Sequence, residues 1–393
     1  MKLYNIVCAS IFFCLLAGIN CNAQKKNTII KGKVQNWPTD TIYLQTMSFH
    51  SPHSSKLIYQ TISKDSTFNF EFNNVTKSFV VQLFLDKESA ELNKEFLLLS
   101  NYTKNYYYGY CEKFYTYGTT TFLIEPNKIL NIKLERNWAT NHLTEEIAKK
   151  YKTTGIKVSK ENTIETTQKT SITFLGNNIF QNEYYQKSFT LDDKIDKRLD
   201  IYKTRTIEEA VISYKKIRKK LLDKLELEKD KLSIVFYDYI KAEIEFGARK
   251  EFLKFLMFSK EKEMDNFFSK EIPKEIMEII SFDKSTINAT TILNEEYNKF
   301  LMLYLNFKLN VLNKKYNRYY EYDIQKIRTA IQNFPQESVY YFVTNYLMLP
   351  QVNRKYLMNT IKNEEAVEEL ITKIISKYPE GELNDRLIEK YNL

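Results

Sequence analysis

Two kinds of hydrophobic periodicity divide the chain. From about Thr28 to Glu135, apolar and polar residues mostly alternate and many side chains are β-branched or aromatic, which is typical of half-buried strands. After about Asn177, apolar residues recur at the spacing of amphipathic helices. The pattern therefore predicts a multidomain α+β protein, in which an antiparallel β-sandwich or barrel-like domain precedes an all-α helical-hairpin bundle.

Short strands separated by turn residues are predicted in the first part. The segments "TIIKGKVQNW" and "TIYLQTM" are two strands joined through "PTD", and "STFNFEFNNV" places Phe68, Phe70 and Phe72 on one face. The run "SFVVQLFL" has the composition of a more buried strand. The segment "TTFLIEPNKILNIKLE" is expected to close the set as a hairpin around Pro126 and Asn127.

Three segments of the second part carry helix signals. The segment "NEEAVEELITKIISKYPEG" has Asn363 as N-cap and stops at Pro379. "DKLSIVFYDYIKAEIEFGARKEFLKFL" begins at the N-cap Ser233, and Gly247 on its buried stripe costs about 1 kcal/mol of helix propensity unless another helix packs close there. "NKFLMLYLNFKLNVL" repeats the apolar stripe. Each helix therefore needs partners, as in a bundle.

The last predicted helix has its own apolar face. Leu383, Leu387, Ile388 and Tyr391 recur at helical spacing. We expect this face to dock against the preceding helix around Ile371 and Ile375.

The start of the chain predicts export. The apolar run "IVCASIFFCLLAGI" is too short to span a bilayer, and "CNA" fits a signal-peptidase site with the cut after Ala23. The alternative is a lipoprotein attached through Cys21, although Asn20 and Gly18 depart from the pattern that lipidation prefers. The protein is expected to be extracytoplasmic, in the periplasm or cell envelope. The predicted parts are a signal peptide (1–23), a β-rich domain (24–138), a connecting segment (139–176) and an all-α domain (177–393).

The positive net charge is not taken as a sign of nucleic acid binding. The chain has 58 Lys and Arg against 49 Asp and Glu, a formal net charge of +9, but an exported protein seldom meets nucleic acid. In "KKIRKKLLDKLELEKDK" the cations are interleaved with acids, which favours a solvated helix face. Anionic glycans or the membrane surface are other partners that the charge would fit.

Cysteine and histidine give no catalytic signature. Once the signal peptide is removed, Cys111 is the one thiol left, so no intramolecular disulfide or CxxC pair can form. His50 and His53 have no carboxylate or thiolate nearby, so the interpretation as a polar loop is favoured over a metal site. A hydrolase would need catalytic groups without any sequence signature. We therefore expect no cofactor, no metal and no enzymatic activity.

Carboxylate pairs occur near predicted helix starts. Glu208 with Glu209 and Glu364 with Glu365 lie where the helix dipole favours negative charge. They are therefore interpreted as structural.

A tyrosine-rich segment, "NYTKNYYYGYCEKFYTYGTTTF", is the candidate partner-binding surface. Tyrosine supplies rigid contact area for a protein or glycan, but the same residues would also pair across the strands of a long twisted hairpin. The two interpretations are compatible. The candidate binding residues are Tyr106, Tyr107, Tyr108, Tyr110, Tyr115 and Tyr117.

The order of these segments resembles a known family. "IIKGKVQNWPTDTIYL", "DSTFNFEF" and "FLIEPNKILNIKL" are similar to the β-rich domain of unknown function at the N-terminus of exported thioredoxin-like (TlpA-like) thiol-disulfide oxidoreductases of Gram-negative bacteria. "ITFLGNNIFQNEYY" and "ISKYPEGELNDRLIEKY" resemble the helical segment that follows it. In that family a thioredoxin domain with a CxxC pair comes next, and its catalytic residues have no counterpart in this sequence.

The resemblance implies two kinds of function. The first is a non-enzymatic extracytoplasmic interaction or scaffold protein, similar to the non-catalytic front half of the family architecture. The alternative is an accessory factor of a thiol-disulfide exchange pathway that binds a separate thioredoxin-like protein, with Cys111 forming at most a mixed disulfide.

Overall fold

The protein combines two small β-sheets with a set of helices. The computed structural model describes residues 27–36, 40–47, 57–84, 120–142, 145, 163–176, 179–188, 206–258, 271–281, 287–312, 323–347, 364–381 and 383–391. The strands are β1 (Thr28–Gln35), β2 (Thr41–Met47), β3 (Leu57–Thr61), β4 (Thr67–Phe72), β5 (Phe79–Phe84), β6 (Thr120–Ile124), β7 (Ile129–His142) and β8 (Thr163–Leu175).

The described strands form two open four-stranded sheets and not a closed barrel. Sheet A has the order β4-β1-β7-β8, and sheet B has the order β3-β2-β5-β6. Every pairing in sheet B is antiparallel, whereas β1 and β7 run parallel in sheet A, with Ile29 opposite Ile129. The prediction of a purely antiparallel set is therefore wrong for sheet A.

The predicted hairpin around Pro126 and Asn127 is also wrong. The turn there carries the chain from β6 in sheet B to β7 in sheet A. Asn127 adopts a positive φ of 59°, and its N–H donates to Thr28 Oγ1 at 2.9 Å. Phe122 on β6 and Ile132 on β7 both point into the space between the sheets, so the two strands lie in opposite layers. The predicted strands β1 and β2 likewise form but belong to different sheets.

One apolar core lies between the two sheets. It contains residues from seven strands of both sheets: Ile30, Val34, Ile42, Leu44, Phe68, Phe70, Val81, Leu83, Phe122, Ile124, Leu130, Ile132, Leu134 and Phe174. The predicted shared face of β4 is confirmed, because Phe68 and Phe70 are buried and Phe72 packs against the same cluster. The sequence pattern does not predict strands β3 and β8, and β8 lies within the segment 139–176, which is predicted to be a connection.

Helices follow from Ile179 onward. They are α1 (Ile179–Ser188), α2 (Ile207–Leu227), α3 (Ile234–Phe258), α4 (Lys274–Ile280), α5 (Ala289–Ile292), α6 (Glu295–Leu312), α7 (Asp323–Asn333), α8 (Gln336–Tyr346), α9 (Glu364–Lys377) and α10 (Asn384–Tyr391). A short 3-10 helix, Lys229–Lys231, joins α2 to α3. The helices α2 to α10 share an extended apolar core, as their amphipathic patterns require.

The local signals for α3 are confirmed. Ser233 caps the helix by accepting a hydrogen bond from the Phe236 N–H at 3.3 Å. At Gly247 a Cβ would lie 3.4 Å from Glu296 Oε2 on α6, an ordinary van der Waals distance, so α6 packs against this part of α3 but does not require a glycine there. The predicted helix "NKFLMLYLNFKLNVL" is α6, and its Phe300 and Leu301 are buried.

The C-terminal helix docks as predicted. Leu383 and Leu387 are buried in the same core as Ile371, and the Tyr391 hydroxyl donates to the Leu347 carbonyl at 2.9 Å. Ile388 departs from the expectation, since 37% of it is exposed. The short turn before α10 needs Gly381, because a Cβ there would meet the Tyr340 hydroxyl at 1.7 Å.

A second apolar cluster joins the sheets to the helices. Val80 on β5 and Leu123 on β6 face away from the sheet core and pack with Phe236 and Tyr239 of α3. The Gln181 side chain of α1 bridges the same junction. It donates to Glu125 Oε2 at 2.9 Å and accepts from the Ser233 N–H at 3.3 Å. Both faces of β5 are therefore covered, as the continuous apolar run "FVV" indicates.

Candidate interaction surface

The surface that the sequence analysis singled out lies outside the described residues. This holds for Tyr106, Tyr107, Tyr108, Tyr110, Tyr115 and Tyr117, as well as for Cys111, His50 and His53. His142 is the last residue of β7. The tyrosine platform therefore stays a prediction.

The carboxylate pairs do lie at helix starts. Glu209 forms a capping box with Thr206: its N–H donates to Thr206 Oγ1 at 3.2 Å, and its carboxylate accepts from the Thr206 N–H at 3.4 Å. Glu208 lies in the same first turn, and Glu364 is the first residue of α9. Their predicted position at helix starts is confirmed, and Glu209 has a structural role as part of the helix cap.

Helix α2 has one buried and one exposed face. Its buried face places Ala210, Val211, Tyr214 and Leu225 into the helical core. Residues three and four apart lie on the same side of a helix, so a second set with this spacing lies on the side of α2 opposite its buried face. That set, called the α2 stripe from here on, consists of Ile212, Lys216, Lys220, Lys224 and Leu227.

The α2 stripe exposes aliphatic side chains at both ends. Ile212 is 66% exposed and Leu227 is 82% exposed. Fifteen residues separate them, which is about 22 Å along the helix axis at about 1.5 Å per residue. Single exposed aliphatic residues are common on protein surfaces, so the feature of interest is that both lie on the same face as the stripe lysines.

The three lysines between these ends have no carboxylate partner among the described residues. They follow at four-residue intervals, where neighbouring Cβ atoms are about 5–6 Å apart. Their neighbours on α2 are paired. Lys215 is bonded to Glu275, and Lys219 to Asp223 at 2.9 Å.

Arg218 is a cation of α2 with a structural role, since it forms an ion pair with α3. Its guanidinium binds the Glu245 carboxylate of α3 with two bonds, Nε to Oε2 at 2.7 Å and Nη2 to Oε1 at 2.5 Å. This ion pair raises the pKa of Arg218. The bidentate geometry ties α2 to α3. The stripe lysines make no comparable tie within the described part of the chain.

A second group of charges lies at the contact between α3 and α6. Lys250 bonds to Glu296 and also lies 3.1 Å from Glu251 Oε1, and Lys254 Nζ lies 2.9 Å from the same oxygen. All four side chains are largely buried. Next to them, Asn294 donates to Glu243 Oε2 at 2.9 Å. We call Lys250, Glu251, Lys254 and Glu296 the buried ion cluster.

Burial and neighbouring charges change the pKa values of Lys254 and Glu251. Loss of water, together with the nearby Lys250 ammonium, lowers the pKa of Lys254 to about 8. Burial also opposes ionisation of Glu251, but the charges of Lys250 and Lys254 outweigh it and lower the pKa of this carboxyl. Glu251 is therefore charged at neutral pH, and its contacts to Lys250 and Lys254 hold the two lysines in the cluster.

Sequence reasoning missed the α2 stripe for an identifiable reason. The interleaved acids of "KKIRKKLLDKLELEKDK" indicate a solvated face only if they are close to the lysines in space. Asp223 is bonded to Lys219 instead, and Glu226 to Lys229. The sequence signal that could have indicated the stripe is the position of Ile212 and Leu227, two aliphatic residues that do not belong to the buried face of α2.

Three further findings bear on the site. Among the described residues, no group of three or more His, Cys, Asp or Glu side chains could hold a metal ion. Every helix in that part of the chain is too short or too polar to cross a membrane. Comparisons with protein-family models, with curated proteins and with solved structures give no match.

Proposed function

We propose that this protein is a non-enzymatic extracytoplasmic interaction protein that holds a partner protein on the α2 stripe. The observation that carries the proposal is the stripe itself, with Ile212 and Leu227 exposed at its ends and three lysines between them. Apolar side chains on the same exposed face as cations can supply both the apolar contact and the charge complementarity of a protein interface. The two sheets form a sandwich domain that supports the helical bundle and, through it, α2.

The experiment is site-specific photo-crosslinking in the native cells. A photoreactive amino acid replaces Lys220 in one variant and the exposed turn residue Lys64 in the matched control. Position 220 is expected to give a discrete adduct that position 64 does not give. Equal labelling at both positions, or none at either, would contradict the proposal. An adduct with a thioredoxin-like protein would favour the alternative of an accessory factor in thiol-disulfide exchange.

Export is tested by the intact mass of the protein from its native cells. The expected mature chain begins at Gln24 without lipid. A diacylated Cys21 would replace secretion by membrane attachment, and a chain that still begins at Met1 would contradict export.

The absence of redox activity is tested with insulin. The purified protein is expected to reduce insulin disulfides no faster than the dithiothreitol background, because the mature chain has a single thiol. Sustained turnover that Cys111→Ser abolishes would contradict the non-enzymatic proposal.

A further inference from the structure

The chemistry of the α2 stripe narrows the kind of partner. We infer that the stripe binds an acidic amphipathic helix of the partner protein, with carboxylates at four-residue spacing and an apolar residue near each end. This inference rests on the proposed function, since it names the partner that the same surface would hold. It is carried by charge complementarity and by the spacing of the stripe residues.

The spacing favours a helix as the occupant. Lys216, Lys220 and Lys224 repeat every four residues, so each lies about 40° further round α2 than the one before it, and all three belong to its exposed side. Carboxylates on a second helix repeat with the same spacing and would meet them one to one when the two helices lie side by side. An extended strand advances about 3.3 Å per residue and alternates its faces, so it would not keep this register.

The exposed ends favour a protein over a lipid surface. A helix that lies in a membrane interface buries a continuous apolar face. The apolar face of α2 is used up in the helical core, and the stripe offers one aliphatic side chain at each end. Two such anchors about 22 Å apart fit pockets between the side chains of a facing helix of similar length.

The paired lysines beside the stripe define its edge. Lys219 is bonded to Asp223 and Lys215 to Glu275, so neither needs an external carboxylate. A partner helix would therefore contact the stripe lysines and leave these neighbours as a polar rim. Charge pairs of this kind mainly set specificity and association rate, while the aliphatic ends set the lifetime of the complex.

The test uses the full mature chain and a synthetic peptide as the probe. The peptide is a capped 22-residue Ala- and Gln-based helix with three Glu at four-residue spacing between two Leu residues. A matched peptide carries Gln in place of each Glu. Binding is followed by fluorescence anisotropy at low and at physiological salt. Saturable binding of the Glu peptide, at least tenfold tighter than that of the Gln peptide, is expected.

Two triple variants locate the site. The combined change Lys216→Gln, Lys220→Gln and Lys224→Gln is expected to weaken binding of the Glu peptide at least tenfold. The matched control changes three exposed lysines of the β-sheet region, Lys31→Gln, Lys33→Gln and Lys128→Gln, and is expected to stay within twofold of the wild type. Equal losses in both variants would mean attraction by net charge alone and would overturn the inference.

The aliphatic anchors and the lipid alternative are tested separately. Ile212→Ser combined with Leu227→Ser is expected to weaken peptide binding at least fivefold, and an unchanged affinity would overturn the inference. Vesicles with anionic phospholipid are the competing probe. Vesicle binding that the α2 triple variant abolishes, without peptide binding, would assign the stripe to a membrane surface. A discrete crosslink at position 220 without peptide preference would reject the acidic helix and leave the proposed function standing.

Discussion

Lysines have opposite surroundings at the buried α3–α6 contact and on the exposed face of α2. In the buried ion cluster, Lys250 contacts both Glu251 and Glu296, and Lys254 contacts Glu251. On the α2 stripe, Lys216, Lys220 and Lys224 lie on one exposed side of the helix, without a carboxylate partner among the described residues. The first arrangement compensates charges that folding has removed from water. In the second arrangement, the three lysines repel one another on a solvated helix face, and this repulsion does not help the protein to fold.

The difference separates charges that stabilise the fold from charges that are available to a partner. Removal of one member of a buried pair leaves an uncompensated charge in the core. Removal of a solvated lysine leaves no uncompensated charge, because water takes its place. Substitutions on the two sides should therefore differ in sign and in size.

The largest expected effect is at the buried ion cluster. Lys250→Met removes the cation that contacts both Glu296 and Glu251, with Lys254 still beside Glu251, and should lower the free energy of unfolding by about 3–5 kcal/mol. The matched change Lys220→Met should alter it by less than about 0.5 kcal/mol. Urea-induced unfolding of both variants at neutral pH measures the difference. Similar small effects in both would mean that the cluster is well solvated and that the two sides do not differ.

Leucine gives the next comparison, because Leu387 of α10 is fully buried and Leu227 of the α2 stripe is not. Leu387→Ala should cost about 2–4 kcal/mol through lost burial and the cavity that remains. Leu227→Ala should cost almost nothing in the isolated protein.

Truncation after Gly381 is expected to destabilise by a similar few kcal/mol, since it removes α10. Unchanged thermal unfolding of the Leu387→Ala and truncated variants would show that α10 does not contribute to the core.

The third prediction concerns pH. The ordinary pKa of lysine is 10.5, and that of Lys254 in the folded protein is about 8. Between these values the unfolded chain binds the extra proton, so folding becomes more favourable as pH rises through this window. Relative to Lys254→Met, the wild type should gain about 1–3 kcal/mol of stability from about pH 7 to pH 10.

Lys220→Met provides the control for this pH experiment. The buried tyrosines, whose ionisation destabilises the fold at high pH, are common to all three proteins and cancel in the differences. A flat difference between the wild type and Lys254→Met would show that Lys254 titrates as an exposed lysine.

The smallest expected effect is a gain of stability. Lys220→Glu converts two repulsive contacts at four-residue spacing, with Lys216 and Lys224, into attractive ones. It should raise the free energy of unfolding by about 0.5 kcal/mol, or the midpoint of thermal unfolding by about 1–2 °C. The same variant should lose binding to the acidic peptide. A decrease in stability would mean that the stripe lysines have stabilising contacts within the chain.

The sequence predicted local structure well and neighbours poorly. The N-cap Ser233, the apolar stripes of α3, α6 and α9, and the shared face of Phe68 and Phe70 follow from local spacing and are confirmed. Alternation says which face of a strand is buried but not which strand lies beside it. The parallel pairing of β1 with β7, and the crossing from β6 to β7 at Asn127, therefore could not be derived from the local pattern.

The candidate site depended on information that sequence spacing does not contain. The α2 stripe becomes visible only when Ile212 and Leu227 are known to be exposed and Asp223 is known to bond to Lys219. Interleaved charges look alike in the sequence whether or not they meet in space. The tyrosine segment, which did have a sequence signal, lies outside the described residues and stays a prediction.

The parallel pairing of β1 with β7 sets the order in which the molecule can assemble. In its register Ile29 lies opposite Ile129, so one hundred residues must be synthesised before β1 gains this neighbour. Closing so long a loop slows folding, and until then one edge of β1 is open, since β4 pairs only with its other edge. A ribosome-bound chain that ends before β7 therefore exposes a strand able to pair with other chains. Chaperone protection during synthesis should thus matter most for the first third of this protein.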